Sequence, residues 1–415
     1  KELLQYVFQT KSQLTMPISA PGSAGMETCF VNLVEPGEKV IVCQNGVFGG
    51  RMKENVERCG GEAVMVMNDW GKPVNPESLE QALSENPDAK VVAFVHAETS
   101  TGARSDAKTL VGLARAHNCL AIVDSVTSLA GCELLVDEWE IDAIYSGTQK
   151  CLSCVPGISP ISFSERAQHK IKNRSTKVQS WFLDMNLIMG YWGGSAKRAY
   201  HHTAPVNAMY ALHESLLIVQ EEGLKNCWAR HKKNHLALKA GLQAMGIDFI
   251  VDEPFRLPQL NSVTIPEGAD DATLRTRLLH EYHLEVGAGL GDLAGKIWRI
   301  GLMGHASNTS NVLMCIGALD EALSSMGAKI NSGVFIGDNV FIGEDTYIHP
   351  NVCLYHSIKI GKKNIIHANS VIGSDGLGFA KTSDNWEKVE HLGTVELKDF
   401  VEVGASCTID RASLG

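Results

Sequence analysis

Between Lys39 and Ile144, short apolar runs alternate with amphipathic stretches. Val40-Ile41-Val42, Ala63 to Met67, Val91 to His96 and Leu120 to Val123 read as buried strands, each brief and bounded by turn residues. Helical spacing fills the gaps between them. One helix opens at Val47-Phe48-Gly49-Gly50, one runs from Pro76 to Leu83 with Asn75 as its cap, and one covers Ala107 to His117. This βαβα rhythm predicts a mostly parallel, doubly wound sheet. Residues 1–16 read as a helix end and a loop, with Leu3, Leu4, Val7 and Phe8 at helical spacing. Ala208 to Leu242 reads as one long helical region. Leu260 to Ile265, Leu284 to Val286 and Ile297 to Ile300 read as strands, and Asn311 to Met326 as an amphipathic helix. The expected domains are 1–222, a second α+β domain over 223–326, and a distinct tail over 327–415.

In the tail the period changes to six. Ile336, Ile342, Ile348, Leu354, Ile360, Ile366 and Ile372 recur without a break, and Val334, Val340, Thr346, Val352 and Ile358 keep step two positions earlier. Gly337, Gly343, Gly361 and Gly373 follow the inner aliphatic position. A hexapeptide repeat of this kind predicts a parallel β-helix. A loop from Ser374 to Thr394 interrupts it, and Leu397, Val403 and Ile409 resume it. The chain begins without Met and stops at Gly415 in mid-pattern, so the sequence is expected to be cut at both ends.

A length of 415 residues predicts two or three domains, and 44% hydrophobic with 20% charged residues is a globular composition. The net charge of -10 argues against nucleic acid and anionic membranes as partners. No apolar run reaches the length of a bilayer span, and no secretory pattern opens the chain. The 11 cysteines, several in apolar strands, read as buried thiols of a reducing compartment. Cys151-x-x-Cys154 has no second ligand pair at metal spacing, so no metal is expected.

Candidate chemistry gathers at the strand ends, where ligands of such sheets sit. Lys150 closes Tyr145-Ser146-Gly147-Thr148-Gln149-Lys150, a small hydroxylated turn after the run Ile141 to Ile144. Its residue type and place suit an aldehyde cofactor held as a Schiff base, or simply a surface lysine. Asp124 ends another strand. Ser19 to Gly25 is a small-residue turn feeding a helix, and its free N–H groups and dipole could cradle a phosphate. Thr99 to Thr101 falls at the same edge. Arg299 sits in an apolar strand and needs either a structural ion pair or an anionic substrate.

Residues 1–326 resemble the alanine–glyoxylate / serine–pyruvate aminotransferases of the class V, fold-type I family. The matching stretches are Gln5 to Thr10, Glu35-Pro36-Gly37, Val123-Asp124-Ser125-Val126, Tyr145 to Lys150, Tyr200-His201-His202-Thr203 and Arg299-Ile300-Gly301-Leu302. The resemblance implies pyridoxal 5′-phosphate on Lys150, with Asp124 at the ring nitrogen and Phe48 stacked on the ring. It places Gly22, Ser23, Ala24 and Gln149 at the phosphate, together with Tyr200 and Thr203 from the neighbouring subunit of a homodimer. It assigns Thr99 or Ser100 to the ring hydroxyl and Arg299 to the substrate carboxylate. The implied activity moves an amino group from alanine or serine to glyoxylate or pyruvate; a kynurenine-type donor in the same site is the alternative. This sequence departs from the family at the phosphate turn, where Pro21-Gly22-Ser23-Ala24 replaces a glycine followed by His, and in lacking a longer N-terminus.

Residues 327–415 resemble UDP-3-O-acylglucosamine N-acyltransferases, left-handed β-helix enzymes that trimerise. Val352 to His356, Val371 to Ala380, Leu392 to Val395 and Thr408 to Arg411 carry the likeness. The coil that bears that family's general-base histidine lies beyond Asp410-Arg411, so His349, His356, His367 and His391 read as structural and the tail as an inactive fragment or trimerising scaffold. The whole reads as two fragments joined near Met326-Gly327, of cytoplasmic or peroxisomal location and without a targeting signal.

Overall fold

The structure, a computed structural model, describes residues 1–192, 199–266, 269–324 and 329–413. The expected junction at Met326-Gly327 lies outside the described residues. The chain divides into two compact units, Lys1–Glu267 with Glu285–Ile316, and Gly268–Leu284 with Gly317–Gly415.

The first unit is built on a seven-stranded sheet. Its strands are β1 (Leu14–Ile18), β2 (Lys39–Gln44), β3 (Glu62–Met67), β4 (Val91–Val95), β5 (Leu120–Asp124), β6 (Ala143–Tyr145) and β7 (Ser159–Phe163), in the order β1-β7-β6-β5-β4-β2-β3. β3, β2, β4, β5 and β6 pair in parallel, whereas β7 runs antiparallel to β6 and to β1. Alternate residues of each strand enter opposite cores. Ile41, Val92, Phe94, Ala121 and Val123 pack in one, and Val40, Val42, Ala93, Val95 and Ile122 in the other. Covering both faces is what a parallel sheet requires.

The first four helices are α1 (Glu2–Phe8), α2 (Gly22–Leu33), α3 (Val47–Arg58) and α4 (Pro76–Glu85), of which α2 and α3 line the site. The Asn75 side chain caps α4 by accepting from the N–H groups of Glu77 and Ser78. The helix read in residues 1–16 is α1, and β1 corrects the loop part of that reading. Leu14-Thr15-Met16-Pro17-Ile18 is buried throughout, and Pro17 is tolerated because β1 is an edge strand. The long helical region expected over 208–242 consists of two helices, Val206–Glu222 and Leu224–Ala244, parted by Gly223 at φ 81°. Only glycine takes that conformation without strain. A three-stranded sheet, β8 (Leu260–Thr264), β9 (Gly287–Ala288) and β10 (Ile297–Gly301), runs in the order β8-β10-β9. The strand expected at 284–286 begins at Gly287 instead, because Leu284 still closes the end of the preceding helix by bonding to the Leu278 carbonyl.

The second unit contains the parallel β-helix. Lys329, Tyr347 and Ile365 stack in register on one sheet, Phe335, Cys353 and Val371 on the second, and Phe341 and Lys359 on the third. Every third hexapeptide thus returns to the same face. Ile348, Leu354, Ile360, Ile366 and Ile372 form its core. The corners are left-handed at Asn339, Asp345, Asn351, Ser357, Lys363 and Asn369, again six apart, and Asn and Asp tolerate that region best. The expected loop at 374–394 holds a hairpin, Phe379–Lys381 against Trp386–Lys388.

Candidate active site

The parallel register of β5 and β6 sets Asp124 beside Tyr145, each at its strand's carboxyl end. Neighbours in register share a face. The Tyr145 hydroxyl donates to Asp124 Oδ2 at 2.7 Å, and the Val126 N–H donates to Oδ1 at 2.8 Å. Asp124 is 3% exposed. Burial pushes its carboxyl up to about 7; the bonds from Val126 and Tyr145 pull it back, Glu98 pushes it further up, and Lys150 pulls it down.

Lys150 follows β6 in a turn tied down by its small residues. Ser153 N–H donates to the Lys150 carbonyl, Cys154 N–H to the Thr148 carbonyl, and Thr148 Oγ1 to the Val155 carbonyl. The amine is held below the ordinary lysine range by burial first and then by the charge of Arg299, with Cys151 and Asp124 opposing. A less charged amine is a better nucleophile and base.

Between them lies a cavity of about 210 Å³, lined by Gly22, Ser23, Phe48, Thr99, Asp124, Gln149 and Lys150 of the expected residues. These come from several separate segments, as a site at the carboxyl edge of a parallel sheet requires. α2 opens into the cavity. Its N-cap is Pro21, which makes no side-chain cap bond, so the helix start keeps N–H groups for an anion. Ala24 does not line the cavity, and its N–H is committed to the Pro21 carbonyl. α2 reaches this position because Gly25 has no side chain: a Cβ there would lie 1.8 Å from Ser159 Oγ and 3.2 Å from Tyr145 Cβ.

Thr99 faces the cavity and shares a hydrogen bond with Thr127, oxygens 2.5 Å apart. Ser100 is turned inward instead. Its hydroxyl donates to Glu98 Oε1 at 2.6 Å and accepts from the Val47 N–H, which fixes the start of α3 and so Phe48. Arg299 donates from Nε to the Ala288 carbonyl and from Nη1 to the Thr99 carbonyl. Among the described residues it has no carboxylate within ion-pair distance, so the structural ion pair is not its partner. Tyr200 and Thr203 bond to each other at 2.9 Å and are not among the cavity's lining residues; Tyr200 is 74% exposed.

Four residues at this site escaped sequence reasoning: Tyr145, Val126, Arg51 and Glu98. Tyr145 is the register partner of Asp124, a pairing that only the folded sheet shows. Val126 supplies an apolar wall, and Arg51 lies over the Phe48 ring at 4.8 Å, one helical turn on. Glu98 is fully buried, and burial raises its carboxyl. Cys151 donates to the Thr127 carbonyl, burial pushes its thiol up to about 12, and no metal-holding cluster exists among the described residues.

Comparison with known proteins matches residues 1–294 to the family model "Aminotransferase class-V" and residues 339–374 to "Bacterial transferase hexapeptide (six repeats)". The chain is 37% identical over 325 residues to alanine–glyoxylate aminotransferase of Mus musculus, covering 78% of each. It is 36% identical over 350 residues to (S)-ureidoglycine–glyoxylate transaminase of Bacillus subtilis, covering 80% of this chain and 83% of that one. Among solved structures, alanine–glyoxylate aminotransferase of Nostoc sp. superposes with a TM-score of 0.76 at 45% identity, covering 78% of this chain and 85% of the other.

Proposed function

The chain belongs to the class-V aminotransferase family and is a pyridoxal-phosphate-dependent transaminase, and on that premise we propose that it transfers the amino group of alanine or serine to glyoxylate or pyruvate, with Lys150 carrying the cofactor. The observation that carries this reading is the meeting of Asp124, at the end of β5, and Lys150, in the turn after β6, in one cavity at an uncapped helix start.

The residues present fit the group. A buried carboxylate with both oxygens held, a half-buried amine and an anion-receptive helix end are the three features a pyridine nitrogen, an aldehyde and a phosphate need. What the cofactor supplies when bound is an aldehyde for the amino group and a ring that absorbs electrons from the substrate carbon. Asp124 would hold a proton at the ring nitrogen. Gly22, Ser23 and Gln149 would receive the phosphate at the α2 start. Phe48 and Val126 exclude water as apolar walls. Thr99 offers a hydroxyl. Lys150, once its amine is released, is the group placed to move a proton at the substrate α-carbon. Arg299 would orient the substrate carboxylate through donors that its two carbonyl bonds leave over, since a guanidinium has five.

The exposure of Tyr200 supports a homodimer in which Tyr200 and Thr203 complete the partner's phosphate site. A trimer tendency of the β-helix is the competing assembly, and Phe335, Phe341 and Phe400 are exposed on it. None of the 11 cysteines is bridged, which supports a reducing compartment, cytoplasmic or peroxisomal. No helix among the described residues is long and apolar enough to cross a membrane.

The test is a donor survey of the cofactor-loaded protein, with alanine, serine and kynurenine against glyoxylate and pyruvate. Turnover with alanine or serine is expected. Turnover with kynurenine alone overturns the donor assignment.

A further inference from the structure

We propose that Tyr145 is a positioning residue for the reaction: its hydroxyl fixes the orientation of the Asp124 carboxylate. The proposal rests on the reading of Asp124 as partner of the cofactor's ring nitrogen.

The geometry leaves Asp124 little freedom. Val126 holds Oδ1 from the backbone and Tyr145 holds Oδ2 from the adjacent strand, so the plane of the carboxylate is set from both sides. Each oxygen keeps a further lone pair for an incoming N–H donor. Tyr145 is itself immobile. It is fully buried, it stands at the end of β6, and α2 lies against its Cβ where Gly25 permits the approach. Its hydroxyl has one proton, and that proton is directed at Asp124.

Charge acts in the same direction. The groups that act on Asp124 are Glu98, Lys150, Tyr145 and, from α2, Cys29. Burial and Glu98 favour the neutral acid, while Val126, Tyr145 and Lys150 favour the carboxylate. Tyr145 stays protonated, because burial and Asp124 hold its own ionisation well above the usual range. It is therefore a permanent donor. Removing it leaves a more basic Asp124, so a larger share is the neutral acid at pH 7, and a neutral acid must lose its proton before it can pair with a protonated ring.

The experiment measures the pyridoxal phosphate dissociation constant from pH 6 to 9 for wild type, Tyr145→Phe, Asp124→Asn and the double variant, alongside kcat and KM. Loss of one hydrogen bond to the anion is expected to move the Asp124 carboxyl by roughly one pH unit. Tyr145→Phe then weakens cofactor binding about fivefold near pH 7, more at pH 6 and little at pH 9, and lowers kcat with the amino-donor KM unchanged. In the Asp124→Asn background the same substitution has an effect under about twofold, because the coupled partner is gone. Wild-type-like binding by Tyr145→Phe overturns the proposal, as does an equal effect in both backgrounds, which is what a packing role produces. If Asp124→Asn itself leaves binding unchanged, the reading of Asp124 fails and the proposal with it; an Asp124 effect without a Tyr145 effect sinks this proposal alone. Should Tyr145→Phe not fold, 3-fluorotyrosine at position 145 keeps the shape and strengthens the donor. Tighter binding at pH 7 is then expected, and unchanged binding overturns the proposal.

Discussion

Arg299 donates from Nη1 to the carbonyl oxygen of Thr99, 3.1 Å away and 200 residues earlier in the chain. The bond joins the β8–β10 sheet to the rim of the cavity. Among the described residues no carboxylate lies within ion-pair distance of the half-buried guanidinium, and Glu98 acts on it only from farther off. A substrate carboxylate would supply what the protein does not. Arg299→Lys, which cannot form the planar fork, should lower kcat/KM for the amino donor by about 10- to 100-fold, the range of a charged hydrogen bond. The loss should lie mainly in KM, with cofactor uptake unchanged, and steady-state kinetics beside a cofactor titration read both.

Asp124 predicts an inverted pH dependence of stability. Its carboxyl is raised from 3.8 to about 7 in the folded, cofactor-free protein. A raised acid binds more protons folded than unfolded, so stability falls as pH climbs from about 4 to about 7. Asp124→Asn removes the buried charge; its Oδ1 can still accept from the Val126 N–H, while its amide nitrogen would donate to the Tyr145 oxygen. The cofactor-free variant should therefore be more stable than wild type at pH 8, by up to about 4 kcal/mol, with the gap closing toward pH 4. Urea midpoints at the two pH values measure it.

The position of α2 depends on the missing side chain of Gly25. A Cβ there would meet Ser159 Oγ at 1.8 Å, and that hydroxyl is held by the Ser146 carbonyl at 2.7 Å. Gly25→Ala should destabilise by about 1–3 kcal/mol and weaken cofactor binding, because the helix start moves with the helix. Ser159→Gly in the same chain should restore part of both, as thermal melts and titration would show.

In the β-helix, Ile366 lies fully buried between its register partners Ile348 and Val403. Ile366→Ala should cost about 2–5 kcal/mol. Hydrogen exchange should show the loss of protection concentrated in the strands at 347–348, 365–366 and 402–403.

Strand-forming runs and the six-residue period were legible because both are local patterns of side-chain burial. Lys150, Asp124 and the α2 turn could be placed together because a parallel sheet puts its loops at one edge. What escaped were the edge strand Leu14–Ile18, whose proline and short length hide it, and the helix break at Gly223, where a single backbone conformation decides the outcome. Tyr145 reads as the start of the turn after Ile144, and Glu98 as the start of a polar turn after the strand Val91 to His96. Their roles depend on which residue lies opposite in register and which hydroxyl turns inward, and neither shows in one-dimensional periodicity.

The central claim is that Lys150 carries the cofactor in the cavity beside Asp124. Pyridoxal phosphate added to the purified chain should give a visible absorbance band. Borohydride reduction should then fix the cofactor's mass on the peptide containing Lys150, as read by mass spectrometry, and Lys150→Ala should abolish both signals. A band that persists in Lys150→Ala, or a cofactor mass found on another lysine, would contradict the account.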